Sequence, residues 1–265
     1  MKILLTGAGG DVGRRLRPML RQVYGEIRVS DRDPLPDLHP GESFVAAELS
    51  DPVAVARAVE GIDGIVHLGG FSVEGPWPVL LKSNIEGCYN LFEAARSAGV
   101  KRVVFASSNH AVGFYPREQT IGPAVPVRPD SRYGVTKAFG EALGALYADK
   151  FGLRVTCLRI GNVGDAPIDR RRLAIWLHPA DLMQLVRIGL EHPDIRYEVL
   201  YGASDNARGW WDNQRARDLG YRPQARSEDF AAAVLARVEA PDAVGDRFHG
   251  GAFCSQEFGA GPSGD

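Results

Sequence analysis

A phenol and an amine stand four residues apart in Tyr133-Gly134-Val135-Thr136-Lys137, and on a helix that spacing puts both on one face. A free phenol titrates near about 10 and is a poor base at neutral pH. A nearby ammonium favours the phenolate, as does an oxidised nicotinamide. Such a phenolate can take a hydroxyl proton while hydride leaves the same carbon for a nicotinamide ring. Tyrosine and lysine at this spacing also occur on solvated helix faces, so the pair alone decides little. Ser107-Ser108-Asn109-His110 adds weight, because it follows an apolar run of strand length. Ser108 there can donate a hydrogen bond to a substrate oxygen, and His110 reads as a binding residue rather than the base.

A second cluster opens the chain. Thr6-Gly7-Ala8-Gly9-Gly10-Asp11-Val12-Gly13 lies between a predicted strand and a predicted helix. Gly7 permits a tight turn, Gly10 a close approach of backbone to a pyrophosphate, and Gly13 close packing of helix on strand. Asp31 ends the next predicted strand, where a carboxylate accepts from ribose hydroxyls and repels a 2′-phosphate. That combination points to NAD as cofactor, with Arg32 beside it as a group able to serve a 2′-phosphate instead.

These residues need a frame that brings them together. The segments Ile3–Thr6, Ile27–Ser30, Phe44–Ala47, Ile65–Leu68, Arg102–Ala106 and Arg154–Arg159 read as strands, mostly uninterrupted apolar runs suited to burial on both faces. Gly13–Val23, Pro52–Val59, Leu80–Ala98 and Tyr133–Phe151 read as helices between them. Asp51 before Pro52 predicts an N-cap, and Gly99 and Gly152 predict helix ends. The alternation predicts an α/β fold: a Rossmann-type doubly wound parallel sheet with right-handed crossovers. A dinucleotide-binding domain is expected over 1–161. A short C-terminal substrate-binding region over 162–265 is expected to pack on it as part of one compact unit. In that region a helix near Asp181, a strand at Tyr197–Tyr201 and a helix at Trp211–Leu219 are expected, then a Gly- and Ser-rich tail from Ser255 frayed at its last residues.

Bulk properties narrow the function further. The chain has 265 residues, 45% hydrophobic and 24% charged, with a formal charge of −2. Nothing there suggests nucleic acid or an anionic membrane as partner. No apolar run approaches the ~20 residues that cross a bilayer, and no signal peptide is legible. Three dispersed cysteines suit a reducing cytoplasm and form no spaced metal site. No metal is expected: His178 and Asp181 fit a helix start better than a ligand pair, and His67 fits a satisfied core histidine. Trp210-Trp211 suits either sugar stacking or core packing.

The TGxxGxxG turn, the acid after the second strand, the serine and the YxxxK together resemble the extended short-chain dehydrogenase/reductase family, the NAD-dependent epimerases and dehydratases. A narrower resemblance, to bacterial uronate dehydrogenases, rests on three stretches. They are His67-Leu68-Gly69-Gly70-Phe71-Ser72-Val73-Glu74, Ala106-Ser107-Ser108-Asn109-His110, and Gly202-Ala203-Ser204-Asp205-Asn206 with Gly209-Trp210-Trp211-Asp212-Asn213. The resemblance implies Tyr133 as proton acceptor, Lys137 as its partner and a cofactor contact, and Ser108 beside them. It implies a cofactor site of Gly7, Gly10, Asp11, Val12, Gly13, Asp31, Glu48, Leu49, Leu68, Gly69, Gly70, Ser72, Asn109, Lys137 and Val163. It implies a sugar-acid site of Ser72, Ser108, Asn109, His110, Tyr133, Asn162 and one arginine of Arg170-Arg171-Arg172. Counting back from Trp176 favours Arg171, whose fork suits a carboxylate.

Two positions depart from the family pattern: Asn162-Val163 replaces Ser-Cys, and Glu48 replaces an aspartate. The reading is oxidation of the C1 hemiacetal of D-glucuronate or D-galacturonate by NAD+, in a cytoplasmic homo-oligomer. Its rivals are a nucleotide-sugar epimerase or dehydratase and a non-catalytic NAD-binding protein.

Overall fold

The computed structural model describes residues 1–259, and the tail residues expected to fray lie outside the described residues. Strands β1 (Ile3–Thr6), β2 (Ile27–Asp31), β3 (Glu42–Ala46), β4 (Gly64–His67), β5 (Arg102–Ser108), β6 (Arg154–Ile160) and β9 (Tyr197–Gly202) form one sheet of order β3-β2-β1-β4-β5-β6-β9. Every pairing in it is parallel. A two-stranded pair, β7 (Asn162–Val163) with β8 (Trp176–Leu177), sits beyond the end of β6.

Because side chains alternate along a strand, successive residues feed opposite layers. Ile3, Leu5, Val29, Val66 and Val104 face α1 (Asp11–Tyr24) and α7 (Pro179–Glu191). Leu4, Ile65, Val103, Phe105 and Val155 face α2 (Pro52–Val59), α4 (Gly87–Ser97) and α5 (Arg132–Phe151). Both faces are therefore covered, as a fully parallel sheet requires. All strands end at one edge, so Gly7, Asp31, Leu68 and Ser108 come to the same side of the molecule.

The local signals act as expected at several ends. Asp51 Oδ1 accepts from the backbone N–H groups of Val53 and Ala54 at 2.9 and 3.2 Å. Gly152 closes α5 with φ of 74°. Elsewhere the structure corrects the reading. The helix expected over Leu80–Ala98 starts earlier and widens along its length: α3 (Trp77–Leu80) runs on through a π-helical stretch, Leu81–Glu86, into α4. The wider turn accommodates the buried Asn84, whose side chain bonds Phe71 and Thr136 rather than solvent. The helix expected over Trp211–Leu219 is only Gln214–Asp218. Trp211 pairs with Ile121 as an isolated bridge, and the Asn213 amide bonds both the N–H and the carbonyl of Tyr201. These side chains satisfy backbone groups outside a helix, the competition that makes Asn and Asp poor helix formers.

One buried ion pair ties the helix bearing Tyr133 to the sheet. Arg159 on β6 grips Glu141 on α5 through two bonds of 2.9 and 2.8 Å, and Ser107 donates to the same carboxylate at 2.6 Å. Glu141 lies one turn beyond Lys137 on the same face of α5. Glu141→Ala leaves an uncompensated buried guanidinium, so it is expected to cost about 3–5 kcal/mol in urea unfolding. A loss below about 1 kcal/mol would show that the pair carries little of the docking of α5.

Candidate active site

The site forms where the turn after β1, the loop after β4, the end of β5 and the start of α5 meet. Thr6 joins the first two: its hydroxyl accepts from Gly69 N–H at 3.2 Å and lies 2.7 Å from His67 Nδ1. Burial holds His67 near a pKa of about 3, so the ring is neutral and shares a hydrogen bond with the Thr6 hydroxyl. His67 is thus a satisfied core histidine.

Gly7 takes φ of +66°, and a Cβ there would lie 2.8 Å from Gly69 N. At Gly13 a Cβ would lie 2.3 Å from Gly7 O. Side chains are excluded by backbone at both points, and Gly10 at the start of α1 brings no side-chain cap of its own. The first-turn N–H groups remain available to an anion, so the turn fits a pyrophosphate. Asp11 is exposed and Val12 half-buried at the entrance to α1. Asp31 Oδ2 accepts from Gly9 N–H at 2.9 Å and Oδ1 from Arg32 N–H at 2.9 Å, which fixes the carboxylate beside the turn. The Arg32 side chain turns away to pair with Asp33 at 2.9 Å.

Other residues of the expected cofactor set are spread around this turn. Leu49 packs next to Gly69, where its Cδ1 would touch a Cβ at 3.0 Å. Glu48 is half-buried two residues past the end of β3, Leu68 packs against the core, and Val163 lies in β7. Gly70 has φ of 125° next to Asn84. Ser72 is exposed on a loop pinned at both ends, at Phe71 by Asn84 and at Glu74 by α5.

Tyr133 and Lys137 are buried on one face of α5 toward the end of β5. Lys137 Nζ donates to Ala106 O at 2.8 Å and lies 5.4 Å from the centre of the Tyr133 ring. Ser108 lies beside the phenol and favours its ionised form, and its Oγ accepts from His110 N–H at 3.2 Å. Here the structure modifies the expectation from sequence. Burial pushes the phenol up to about 12, with Ser108 opposing the rise, and burial brings the Lys137 amine down to about 8. Desolvation is the largest cause of both shifts. Lowering the phenol to a working value therefore requires further positive charge in the site.

Asn109 is buried, with Nδ2 donating to Ile160 O at 3.2 Å and Oδ1 accepting from Arg171 Nη2 at 2.8 Å. Arg171 also donates through Nε to His249 O at 2.8 Å. Among the described residues no carboxylate lies within salt-bridge distance of Arg171, and burial lowers its pKa to about 10. Its neighbours are occupied elsewhere: the Arg170 guanidinium donates to Leu235 O while its backbone N–H donates to Glu239, and Arg172 pairs with Asp169. Of the three arginines, Arg171 is the one that reaches Asn109. Asn162 is half-buried in β7, paired in register with Trp176.

The sequence model of the NAD dependent epimerase/dehydratase family matches residues 3–248. The chain belongs to that family. It is 43% identical over 254 residues to a uronate dehydrogenase from Pseudomonas putida, covering 95% of each chain. It superposes on a solved glucuronic acid dehydrogenase from Chromohalobacter salexigens with a TM-score of 0.93, at 43% identity and 96% coverage of both. A mutant uronate dehydrogenase from Agrobacterium tumefaciens, solved in complex with NAD, gives 0.92 at 42% identity, covering 96% of this chain and 97% of that one.

Within this family frame, sequence reasoning left several neighbours of the site unassigned. Phe253 stacks on His110 with ring centres 3.9 Å apart, and it meets the Tyr133 ring edge-on at 6.3 Å. Glu74 accepts from Tyr133 N–H at 2.8 Å and from Arg132, which also pairs with Glu257. Asp130 bonds His110. The signal for Glu74 was in the quoted motif, whereas Phe253 precedes the segment read as a tail from Ser255 and carried no reading, and Glu257 lies in that tail. Trp210 and Trp211 offer no free sugar platform, since they stack on His249 and Tyr201 with ring centres 5.0 and 4.9 Å apart. His178 caps α7, and Asp181 is buried under bonds from Ser204, Gln224 and Ala225.

Proposed function

We propose that the chain is an NAD-dependent uronate dehydrogenase, oxidising the C1 hemiacetal of D-glucuronate or D-galacturonate to the aldarolactone. The observation that carries the substrate class is Arg171, a largely enclosed guanidinium with no acidic partner among the described residues. A desolvated cation with no carboxylate in contact is costly, so the site is built for an anion brought by the ligand. The near full-length likeness to uronate dehydrogenases names the same substrate class.

The reading assigns roles to side chains already placed. Asp11, Val12, Asp31, Glu48, Leu49, the segment Leu68–Gly70 and Val163 hold NAD with the glycine turn, and the bound dinucleotide supplies the hydride acceptor. Arg171 and Asn109 hold the sugar carboxylate, with Ser72, His110 and Asn162 on the hydroxyls. Ser108 fixes the C1 hydroxyl against Tyr133, which takes its proton, and Lys137 stabilises the phenolate. Residues 1–161 carry the cofactor and 162–265 close the substrate side. The protein is cytoplasmic and acts as a homo-oligomer in this reading; among the described residues no helix is long and apolar enough to cross a membrane.

A base works unprotonated, and burial raises the Tyr133 phenol. Oxidation should therefore accelerate as pH rises from about 6 to about 8. A flat kcat/KM profile over that range would remove Tyr133 as the titrating base. Asp31→Ala removes the charge that repels a 2′-phosphate while leaving Arg32 in place. The ratio of NAD+ to NADP+ kcat/KM should fall by about tenfold or more, the worth of one charged contact. An unchanged ratio would place cofactor choice elsewhere. The overall reading is tested by carbon NMR of the product from glucuronate. An aldarolactone supports it, and a C4 epimer with no net NADH would replace it with an epimerase.

A further inference from the structure

The His110 ring is held from three directions. Its backbone N–H bonds Ser108, one face lies on Phe253, and Nδ1 is 2.7 Å from Asp130 Oδ2. Asp130 is itself enclosed, its side chain having no exposed surface. Its Oδ1 accepts from Ser131 at 2.8 Å, and backbone closes over Oδ2. A Cβ at Gly113 or at Gly250 would come within 1.8 Å of that oxygen. Gly250 N–H donates to Gly113 O at 2.9 Å, so the segment carrying Phe253 completes this enclosure. A residue packed so tightly against backbone has little freedom to turn.

We infer that Asp130 is a positioning residue that locks His110 as the Nδ1–H tautomer, leaving Nε2 bare as an acceptor for a substrate hydroxyl. A carboxylate oxygen can only accept, so the proton of the 2.7 Å contact sits on the imidazole. Nε2 makes no hydrogen bond to the described residues, and the ring centre is 5.8 Å from that of Tyr133. The site thus selects a sugar whose hydroxyl beside the reacting carbon donates. The free imidazole prefers its proton on Nε2, which would present a donor there and require an acceptor instead. This assignment rests on the proposed uronate site for its substrate, but the tautomer is a property of the protein alone.

The test is a long-range proton–nitrogen NMR spectrum of the full chain labelled with ¹⁵N-histidine, His110 being assigned by comparison with His110→Gln. The expected spectrum shows His110 protonated at Nδ1 and bare at Nε2. In Asp130→Ala that tautomer is lost, and KM for glucuronate rises by about tenfold or more while NADH binding is unchanged, the scale of one lost charge-assisted bond. An Nε2–H form in the native chain overturns the inference, as does an Asp130→Ala chain that keeps both tautomer and KM. If that variant does not fold, the native spectrum decides. A native Nδ1–H form in a chain inert to uronates keeps the inference and removes the substrate reading. An Nε2–H form in a chain that oxidises uronates does the reverse.

Discussion

Tyr133→Phe is expected to lower kcat for uronate oxidation by about 10²–10⁴ while leaving NADH affinity intact, the usual scale of a lost general base. The substitution removes one oxygen and keeps the ring in its setting against His110 and Phe253. The residual groups, Ser108 and Lys137, have no means of replacing the base: one is a neutral hydroxyl, the other donates to Ala106 O. Steady-state kinetics with a fluorescence titration of NADH separate the two quantities. A variant keeping more than a few per cent of kcat would move the base to another residue, with His110 the nearest candidate.

The second large effect is at Arg171. Arg171→Met should reduce kcat/KM for glucuronate by roughly 10²–10³, the cost of stranding a desolvated carboxylate without its partner, about 3–4 kcal/mol. Arg170→Ala and Arg172→Ala should change the same parameter by less than about threefold, because their guanidinium groups are engaged away from Asn109. A neutral sugar gives the control, since its weak turnover should not fall in Arg171→Met. Equal losses for acid and neutral sugar would mean that Arg171 serves only to hold Asn109 and His249 O in place.

The sequence was most legible where local chemistry and fold agree. Uninterrupted apolar runs marked the buried parallel strands, and Asp51, Gly99 and Gly152 punctuated helices where expected. Gly7 and Gly13 could be assigned because backbone proximity tolerates nothing larger there. Boundaries failed where a side chain served a distant partner, as Asn84 does in the π-helical stretch and Asn213 at β9. Of the site, the groups on β5 and α5 were readable as one cluster because their spacing carries the information. Asp130 and Phe253 were not, since Asp130 meets His110 across a 20-residue loop with no regular spacing, and Phe253 only after more than a hundred residues of chain have returned to the site. The rise of the Tyr133 phenol to about 12 was equally invisible, because it follows from burial and not from residue type.

The central claim is that this site removes hydride from C1 of a sugar acid and releases it as NADH. Absorbance at the NADH band, with glucuronate, galacturonate, glucose and galactose assayed side by side, tests it most directly. The account predicts stoichiometric NADH from both acids and rates at least about a hundredfold lower from both neutral sugars, from the loss of the Arg171 ion pair. NADH formed as readily from glucose as from glucuronate, or no net NADH from either acid, would contradict it.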